Sequence, residues 1–253
     1  EIPDYVQQMA QMAGFLAQTY MRPYARQLDE NEHERPVDFI QAIWPILRDQ
    51  QKATLDKLVM SSNGGNGSGE QPEKKKRPST RNLQLMLMVE QLSWGDAGIY
   101  LCLPSPALGG FAIEAVGTTE QKLRLLSRFA EGDRPVWGAM AITEPGAGSD
   151  NSSMATTAVF DEEHNEWVIN GEKIFITSGK LALEESNGLV IVWATVNKEA
   201  GRAGIKPFVV EAGTPGVSIG KVEIKHGIRA SDTAAIVFNN ARIPANNILG
   251  SPD

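Results

Sequence analysis

Residues 136–179 read VWGAMAITEPGAGSDNSSMATTAVFDEEHNEWVINGEKIFITSG, and the character of the chain changes at this point. Asn170-Gly171 stands between two short β-rich runs and predicts a hairpin turn, because both turn positions must accept positive φ. No stretch after residue 135 is long and periodic enough for the helices that connect parallel strands. Residues 135–253 are therefore predicted to form an antiparallel barrel or sandwich. The runs that predict strands are VWGAMAI, TTAVF, EWVIN, KIFIT, LVIVWATV, FVV, VEI and AAIVF.

Residues 1–134 have the three- and four-residue apolar spacing of packed helices instead. One helix is predicted from Val6 to Tyr24, and another over residues 83–92. A helix between these two begins near Pro36, a favoured first-turn residue, with a kink or break expected at Pro45. Helices first and strands second give an α+β fold class rather than a Rossmann fold. We expect an N-terminal helical domain over 1–134 and a middle β domain over 135–253.

Two further segments of the helical half carry local signals. Thr118-Thr119-Glu120-Gln121 predicts a capping box, in which the Thr118 and Gln121 side chains each bond the other residue's backbone amide. The helix that starts there is expected to stop at Gly132. Residues 61–81 are rich in Gly, Ser, Pro and Lys, which predicts a flexible surface loop with a solvated basic run.

The composition excludes several classes of protein. The 253 residues include 24 Lys and Arg against 31 Asp and Glu, for a net charge of −7. Hydrophobic residues make up 42% of the chain, which supplies a packed core and argues against wholesale disorder. An acidic balance disfavours nucleic-acid binding, because such surfaces are basic. No apolar run approaches the roughly 18 residues of a membrane span.

Cysteine and histidine usage argues against disulfides and metal sites. The single cysteine, Cys102, stands among apolar residues and is predicted to be a packed thiol rather than a nucleophile. His33, His164 and His226 are scattered without the spacing of metal ligands. Residues 1–4 are acidic and do not look like a signal peptide. We therefore expect a reducing compartment, either the cytoplasm or an organelle matrix in a eukaryote.

The segment Met140 to Asp150, MAITEPGAGSD, carries the first functional signal. Gly146 and Gly148 allow a sharp turn and close approach of a ligand to the backbone. The segment is not a Walker loop, since no Lys-Ser/Thr pair follows, and it lacks the strand-to-helix context of a Rossmann fingerprint. A glycine loop with hydroxyls indicates a polar or anionic ligand only weakly, and a structural turn explains it about as well.

The segment 171–179, GEKIFITSG, carries the second signal. Phe175 and Thr177 are two residues apart on a predicted strand, so their side chains share one face. An aromatic plate beside a hydroxyl is a suitable wall for a flat heteroaromatic ring. An ordinary hairpin strand is the alternative interpretation of the same residues.

Taken together, three linked motifs resemble the acyl-CoA dehydrogenase family. They are ITEPGAGSD, then NGEKIFITSG, and later KHGIRASDTAAIVFNNARIPANNILG, in that family's order and at about its spacing. Residues 117–122, GTTEQK, look like the family's G-T-E-x-Q-K helix start. The resemblance covers nearly the whole chain.

The resemblance implies an FAD enzyme that desaturates an acyl-CoA thioester, with α-proton abstraction and transfer of a β-hydride to flavin N5. It places the Thr143 hydroxyl at the polar edge of the flavin ring, the Thr177 hydroxyl near N5, and Ser149 also on the CoA side of the substrate. It implies an acyl-CoA substrate, electron-transfer flavoprotein as the electron acceptor, and a homo- or hetero-oligomer. The implied cofactor-binding residues are Met140, Ala141, Ile142, Thr143, Gly148, Ser149, Phe175, Ile176 and Thr177.

The chain also departs from the family pattern. Phe175 stands where the family has Trp, and the insert at 61–81 replaces a compact connection. The chain stops at Asp253, before the helical bundle that usually supplies the base, so the expectation is a fragment or a subunit with no catalytic base assigned. Glu144 and Asp150 are expected to shape the loop. An acyl-CoA oxidase and a non-catalytic scaffold subunit remain as alternatives, and the acyl chain length is not indicated.

Overall fold

The structure is a computed structural model that describes residues 2–63 and 79–250. Most of the predicted loop at 61–81 lies outside these residues. The chain divides into two compact units. Unit 1 comprises Glu1–Ala42, Asp56–Cys102 and Lys225–Ser231, and unit 2 comprises Ile43–Leu55, Leu103–Ile224 and Asp232–Asp253.

The helices follow the apolar spacing of the sequence. The first helix ends at Leu16, and a π-helical turn over Ala17–Met21 follows it directly. The helical segment predicted from Val6 onward therefore continues past the end of the first helix. The third helix runs on through Pro45 without the expected break. The neighbouring Trp44 is buried in the core of unit 2, and this packing offsets the hydrogen bond that proline removes. The helices are α1 (Asp4–Leu16), α2 (Ala25–Glu30), α3 (Val37–Asn63), α4 (Arg81–Tyr100), α5 (Ala107–Val116) and α6 (Thr119–Leu126).

In unit 1, α1 packs on α4. Val6, Ala13 and Ala17 bury one face of this helical segment, and Gly95 of α4 permits the close approach, because a Cβ there would stand 2.8 Å from the Ala17 Cβ. Asp96 interrupts α4 with extended backbone angles, and its carboxylate accepts the Ile99 N–H at 2.8 Å. The predicted helix over 83–92 is thus confirmed as part of a longer, kinked one.

Unit 2 contains α5 and α6, the two helices that directly precede the strands in the sequence. The capping box of α6 is confirmed, with both reciprocal bonds between Thr118 and Gln121 present. The α-helix ends at Leu126, and a 3₁₀ turn follows it over Ser127–Phe129. The helical segment therefore ends a few residues before the predicted stop at Gly132. The sequence analysis missed α5, whose two adjacent glycines hide its helical pattern. One of them, Gly109, is needed because a Cβ would stand 2.5 Å from the backbone oxygen of Ala139.

Seven strands form one curled sheet in unit 2. Their order is β1-β4-β2-β3-β7-β6, and β5 pairs with β4. Buried apolar side chains of β4 and β5 meet those of α5 and α6 in the core of the unit. The strands are β1 (Gly138–Ala141), β2 (Thr157–Asp161), β3 (Glu166–Thr177), β4 (Leu189–Thr195), β5 (Ile205–Glu211), β6 (Val217–Val222) and β7 (Thr233–Pro244).

The α+β class is confirmed, but the sheet is mixed rather than wholly antiparallel. β1 pairs in parallel with β4, matching 138–141 to 189–192, and β2 also meets β4 in parallel. The other four ladders are antiparallel. The sequence argument looked for a helix between parallel strands, whereas here the β2–β3 hairpin lies within the connection from β1 to β4.

The hairpin predicted at Asn170-Gly171 is wrong. Both residues lie inside the long strand β3, and the β2–β3 turn falls at 162–165 instead. Gly171 has φ 148° and marks a register shift against β7 between Ile169 and Gly171. A Cβ on Gly171 would stand 2.8 Å from the Thr156 Cα. The glycine therefore serves a β-bulge and a close backbone approach rather than a turn.

No helix among residues 2–63 and 79–250 is long and apolar enough to cross a bilayer. Within the same residues, no group of three or more His, Cys, Asp or Glu side chains could hold a metal ion. Cys102 is buried, and its thiol donates to the Gly98 carbonyl at 3.3 Å, in agreement with a packed role.

Candidate functional site

The candidate site begins at the end of β1, which is anchored inside unit 2. β1 pairs with residues 189–192 of β4, all of them fully buried. Ala141 is also fully buried and Met140 is half-buried, whereas Ile142 and Thr143 are partly exposed. A rigid strand therefore fixes the point where the chain leaves the core and the glycine loop starts.

The loop turns tightly over Pro145-Gly146. The Glu144 N–H donates to the Ala147 carbonyl at 3.0 Å, and the Ala147 N–H donates back to the Glu144 carbonyl at 3.1 Å. Ala147 is buried, while Pro145, Gly146 and Gly148 are exposed. A Cβ placed on Gly146 or Gly148 would meet no atom within 4 Å. Open space beside both glycines can admit a ligand.

A buried ion pair between Lys173 and Glu144 anchors the glycine loop. The Lys173 Nζ lies 2.7 Å from Glu144 Oε1, and the two side chains are 0% and 5% exposed. The same ammonium donates to the Ile142 carbonyl at 3.1 Å. Glu144 also accepts the backbone N–H groups of Ala155 and Thr156, the latter at 3.0 Å. Strand β3, the glycine loop and the segment before β2 thus converge on one charge pair.

The environment of Glu144 keeps its carboxylate ionised. Burial acts to raise the pKa of Glu144, but the hydrogen bonds from Lys173, Ala155 and Thr156 outweigh it and lower the pKa below its usual value. Burial lowers the pKa of Lys173, against the opposing effect of Glu144. A carboxylate that is buried, ion-paired and lowered in pKa is a poor acceptor for a substrate proton. Glu144 therefore anchors the loop, and its lowered pKa makes it a weak base.

Strand β3 brings the second sequence signal to the loop. The Ile174 N–H donates to the Thr143 carbonyl at 2.8 Å, which joins the two motifs directly. In contrast, the Thr143 N–H makes no hydrogen bond within the described part of the chain. Thr177 is partly exposed and pairs in register with Thr233 of β7. Thr143 and the β3 motif are neighbours, and an amide donor beside them is free.

Phe175 has the most unusual conformation in this region. Its φ is +59°, in the left-handed region that a bulky residue rarely adopts, and its side chain is 58% exposed. The next residue, Ile176, is fully buried, and the register with β7 shifts between Lys173 and Ile176. A bulge therefore presents an aromatic ring to solvent next to the buried Ile176.

Ser149 lies in the exposed run Gly148 to Asp150, and among the described residues no hydrogen bond joins it to β3. Asp150 accepts the Ser152 N–H at 3.2 Å and so caps a short 3₁₀ turn. Asp150 therefore shapes the loop, and Ser149 is available to solvent beside it.

Sequence reasoning gave no role to Asp232. It is buried, its carboxylate accepts the Lys180 N–H at 3.0 Å, and its carbonyl accepts the Ser178 N–H at 3.3 Å. Ser178 is also buried and has φ 60°. Asp232 thus fixes the turn that follows Thr177. Its place in the R-x-S-D-T motif was the available signal, but its partners are more than 50 residues away in sequence.

A cavity of about 310 Å³ lies beside the loop, but none of the nine predicted cofactor-binding residues lines it. Of the predicted contacts, Gly148, Ser149 and Phe175 are exposed, and Ala141 and Ile176 are buried. The others are partly exposed. The cavity is lined by Glu144, Pro145, Gly146, Ser153, Ala155, Thr156, Gly171 and Glu172.

Comparison with known proteins identifies the fold. Residues 139–241 match the family model for the acyl-CoA dehydrogenase middle domain. The chain is 45% identical over 139 residues to acryloyl-CoA reductase (NADH) of Anaerotignum propionicum, which covers 55% of this chain and 34% of that protein. Butyryl-CoA dehydrogenase of Megasphaera elsdenii superposes on 99% of this chain and 60% of its own, with TM-score 0.78 and 30% identity.

Residues 139–241 therefore belong to the family of acyl-CoA dehydrogenase middle domains, and 99% of the chain shares its fold with a butyryl-CoA dehydrogenase. A solved family member from Bacillus anthracis, complexed with FAD, matches 99% of this chain and 38% of its own with TM-score 0.72 and 26% identity. The chain spans between about a third and just over half of the length of the curated relatives it matches, from 34% to 55%.

The residues around the glycine loop of this chain fit a flavin as one wall of a site. An exposed aromatic ring, Phe175, lies two residues beyond Lys173, the residue that anchors the loop. Gly146 and Gly148 leave open space, and the Thr143 amide offers a donor with no partner in the described structure. A planar ring with a polar edge needs both an apolar plate and edge donors, and both are present.

Proposed function

We propose that this chain forms the flavin- and acyl-CoA-binding part of an FAD-dependent acyl-CoA dehydrogenase. The single observation that carries the proposal is Phe175, an aromatic side chain held exposed at positive φ. Backbone strain of this kind costs on the order of 1–3 kcal/mol, and strained residues that the surrounding structure enforces cluster at active sites and ligand-binding positions. In the proposal, the Phe175 ring is the apolar plate and the free Thr143 N–H is the polar edge that together bind the isoalloxazine ring.

FAD, when bound, supplies a hydride acceptor at N5, so that loss of the α-proton and β-hydride leaves a Cα–Cβ double bond in the acyl-CoA. The chain's own residues bind and orient. In the proposal the Thr143 amide and hydroxyl donate to the polar edge of the ring, and the Thr177 hydroxyl donates near N5. Donors fixed in advance stabilise negative charge without reorganising. The remaining proposed contacts are Met140, Ala141, Ile142, Gly148, Ser149 and Ile176, with Ser149 also facing CoA.

No catalytic base is assigned to the described residues. Glu144 accepts three N–H groups, and Asp150 accepts the Ser152 N–H. We propose that the base lies on a part of the protein that the curated relatives possess and this chain does not span. We further propose electron-transfer flavoprotein as the acceptor, an oligomeric enzyme, and a cytoplasmic or organelle-matrix location.

The deciding experiment is an anaerobic titration of the purified full-length gene product with saturated acyl-CoAs of increasing chain length. We expect a yellow protein whose flavin absorbance bleaches on addition of substrate. Thr177→Ala is expected to slow bleaching about 100-fold, since removal of one preorganised donor has an effect of that order. Thr157→Ala, which changes an exposed threonine of β2, is the matched control and should bleach at the normal rate.

Other results point elsewhere. Oxygen consumption with peroxide release would indicate an acyl-CoA oxidase. A colourless protein that assembles with a partner would indicate a non-catalytic scaffold. The 45% identity to acryloyl-CoA reductase (NADH) favours a second candidate reaction, reduction of an enoyl-CoA. In that case reduced flavin would reoxidise on addition of a short enoyl-CoA, while the saturated thioester would leave oxidised flavin unchanged.

A further inference from the structure

The Lys173–Glu144 pair lies directly beneath the glycine loop and has no part in the proposed chemistry so far. Lys173 is fully buried, and its ammonium reaches three groups: Glu144 Oε1 at 2.7 Å, the Ile142 carbonyl at 3.1 Å and the Met154 sulfur at 3.7 Å. Two of these three partners belong to the loop. A buried charge is costly unless it is paired, so an apolar side chain would be the simpler way to fill this space.

The hydrogen bond from Lys173 to the Ile142 carbonyl affects the backbone N–H of Thr143. The Ile142 carbonyl and the Thr143 N–H belong to the same peptide group, so a charged donor on the carbonyl polarises the N–H. The Thr143 N–H makes no hydrogen bond within residues 2–63 and 79–250. The Thr143 carbonyl is held separately by the Ile174 N–H at 2.8 Å, which fixes the orientation of the residue. The lysine thus strengthens a donor that is both fixed and free.

We propose that Lys173 is a positioning residue that holds the Ile142–Thr143 peptide in place and strengthens the Thr143 N–H as a donor to the bound ligand. Glu144 balances its charge and extends the anchorage to Ala155 and Thr156. The proposal rests on the proposed function in one respect, namely that the ligand is a flavin whose reduced form carries more negative charge at the polar edge. The anchorage of the loop by the pair does not depend on that identity.

The test uses a double variant, Lys173→Met with Glu144→Gln, which removes both charges and leaves none unpaired. Amide hydrogen exchange is measured on the full-length protein without FAD. We expect the loop amides at 143–149 to exchange about tenfold faster than in the wild type, in line with the loss of a charge-assisted hydrogen bond. Unchanged exchange in a folded double variant would overturn the anchorage.

The second measurement is the midpoint potential and affinity of bound FAD. We expect the affinity to fall about tenfold, and more for reduced than for oxidised FAD, so that the potential falls as well. Lys173→Gln with Glu144→Gln keeps a neutral donor and should give an intermediate potential, and it also serves if the methionine variant does not fold. A potential equal to the wild type in both folded variants would overturn the polarising role.

The matched control is Arg128→Met with Glu211→Gln. This pair belongs to the same unit, with Arg128 Nη2 at 2.6 Å from Glu211 Oε2. Among the described residues the other hydrogen bonds and ion pairs of its side chains go to Arg124, Asn187, Gly188 and Asn247, which all lie outside the loop. The control should leave loop exchange and flavin potential unchanged. A similar shift in this control would mean a general loss of stability and would overturn the assignment to Lys173. A wild type that binds no FAD would overturn both the proposed function and the effect of Lys173 on the flavin potential. The hydrogen-exchange measurement would still test whether the Lys173–Glu144 pair anchors the loop.

Discussion

Two of the ion pairs in unit 2 join distant segments at almost the same distance and differ mainly in their access to water. The Lys173–Glu144 pair spans 2.7 Å with side chains 0% and 5% exposed. The Arg242–Asp161 pair spans 2.8 Å, with side chains 44% and 22% exposed. Asp161 also contacts His164, and Arg242 also contacts Glu166, so the exposed pair lies in a small network of its own.

The distance between the charges is nearly the same, so burial decides what each pair does. A charge in the interior cannot be left without its partner, because water does not reach it, whereas an exposed charge is solvated again when its partner is removed. The buried pair should therefore behave as a unit that fails when half is removed. The exposed pair should act mainly through its effect on pH dependence.

The largest expected effect is that of Lys173→Met alone. It leaves the Glu144 carboxylate buried without its cation, so we expect a loss of roughly 3–5 kcal/mol in the free energy of unfolding. Urea denaturation followed by circular dichroism measures the loss. The double variant with Glu144→Gln should recover most of it, since it leaves no unpaired charge. A single variant as stable as the double would contradict the view of the pair as a unit.

The next effect tests the packing around the buried pair. Gly171→Ala adds a Cβ that would stand 2.8 Å from the Thr156 Cα, next to the amide that Glu144 accepts. Overpacking against backbone predicts a loss of about 1–3 kcal/mol, measured as a shift in the urea midpoint. Gly227→Ala is the control, because a Cβ there meets nothing within 4 Å. Equal stability of the two variants would mean that β3 shifts freely at its bulge.

Gly171 also shows where sequence reasoning stops. Most of the helical half and the capping box could be predicted, because each depends on local spacing and propensity. Helix α5 was missed, and the predicted strand run VEI is wrong, because β6 covers Val217–Val222 and ends at the first residue of that run. Asn170-Gly171 has the composition of a hairpin turn, but positive φ is required equally in a β-bulge. Local sequence cannot separate the two uses. The close approach of Thr156, which separates them, is a contact made only in the folded chain.

In the candidate site, too, some features were predicted from the sequence and others are visible only in the folded chain. The glycine loop and the Phe175–Thr177 strand were identified from their residues and the family resemblance, and the Ile174–Thr143 bond joins them. Lys173 was hidden because its partner Glu144 lies 29 residues away and nothing in the spacing marks the pair. The positive φ of Phe175 was hidden too, since it arises from a register shift against β7. Contacts between distant strands set these features.

The smallest expected effect concerns the exposed pair and its response to acid. The Arg242 guanidinium, opposed by burial and assisted by His164, lowers the pKa of Asp161 to about 2. A carboxyl whose pKa is lower in the folded state stabilises the fold above its unfolded pKa of 3.8. That contribution is lost as the pH falls from about 4 to about 2. Asp161→Asn should therefore be less stable than the wild type at pH 6 and equal to it near pH 2.

The measurement is the urea midpoint of both proteins across this pH range. Glu162→Gln is a suitable control, because the neighbouring carboxyl makes no ion pair among the residues that the structure describes. It should change little at any pH, since an exposed charge without a partner contributes little to stability. A constant difference between Asp161→Asn and wild type down to pH 2 would show that the asparagine disturbs the hairpin by its shape. Convergence would show that Arg242 acts through charge alone, which is the behaviour that separates the exposed pair from the buried one.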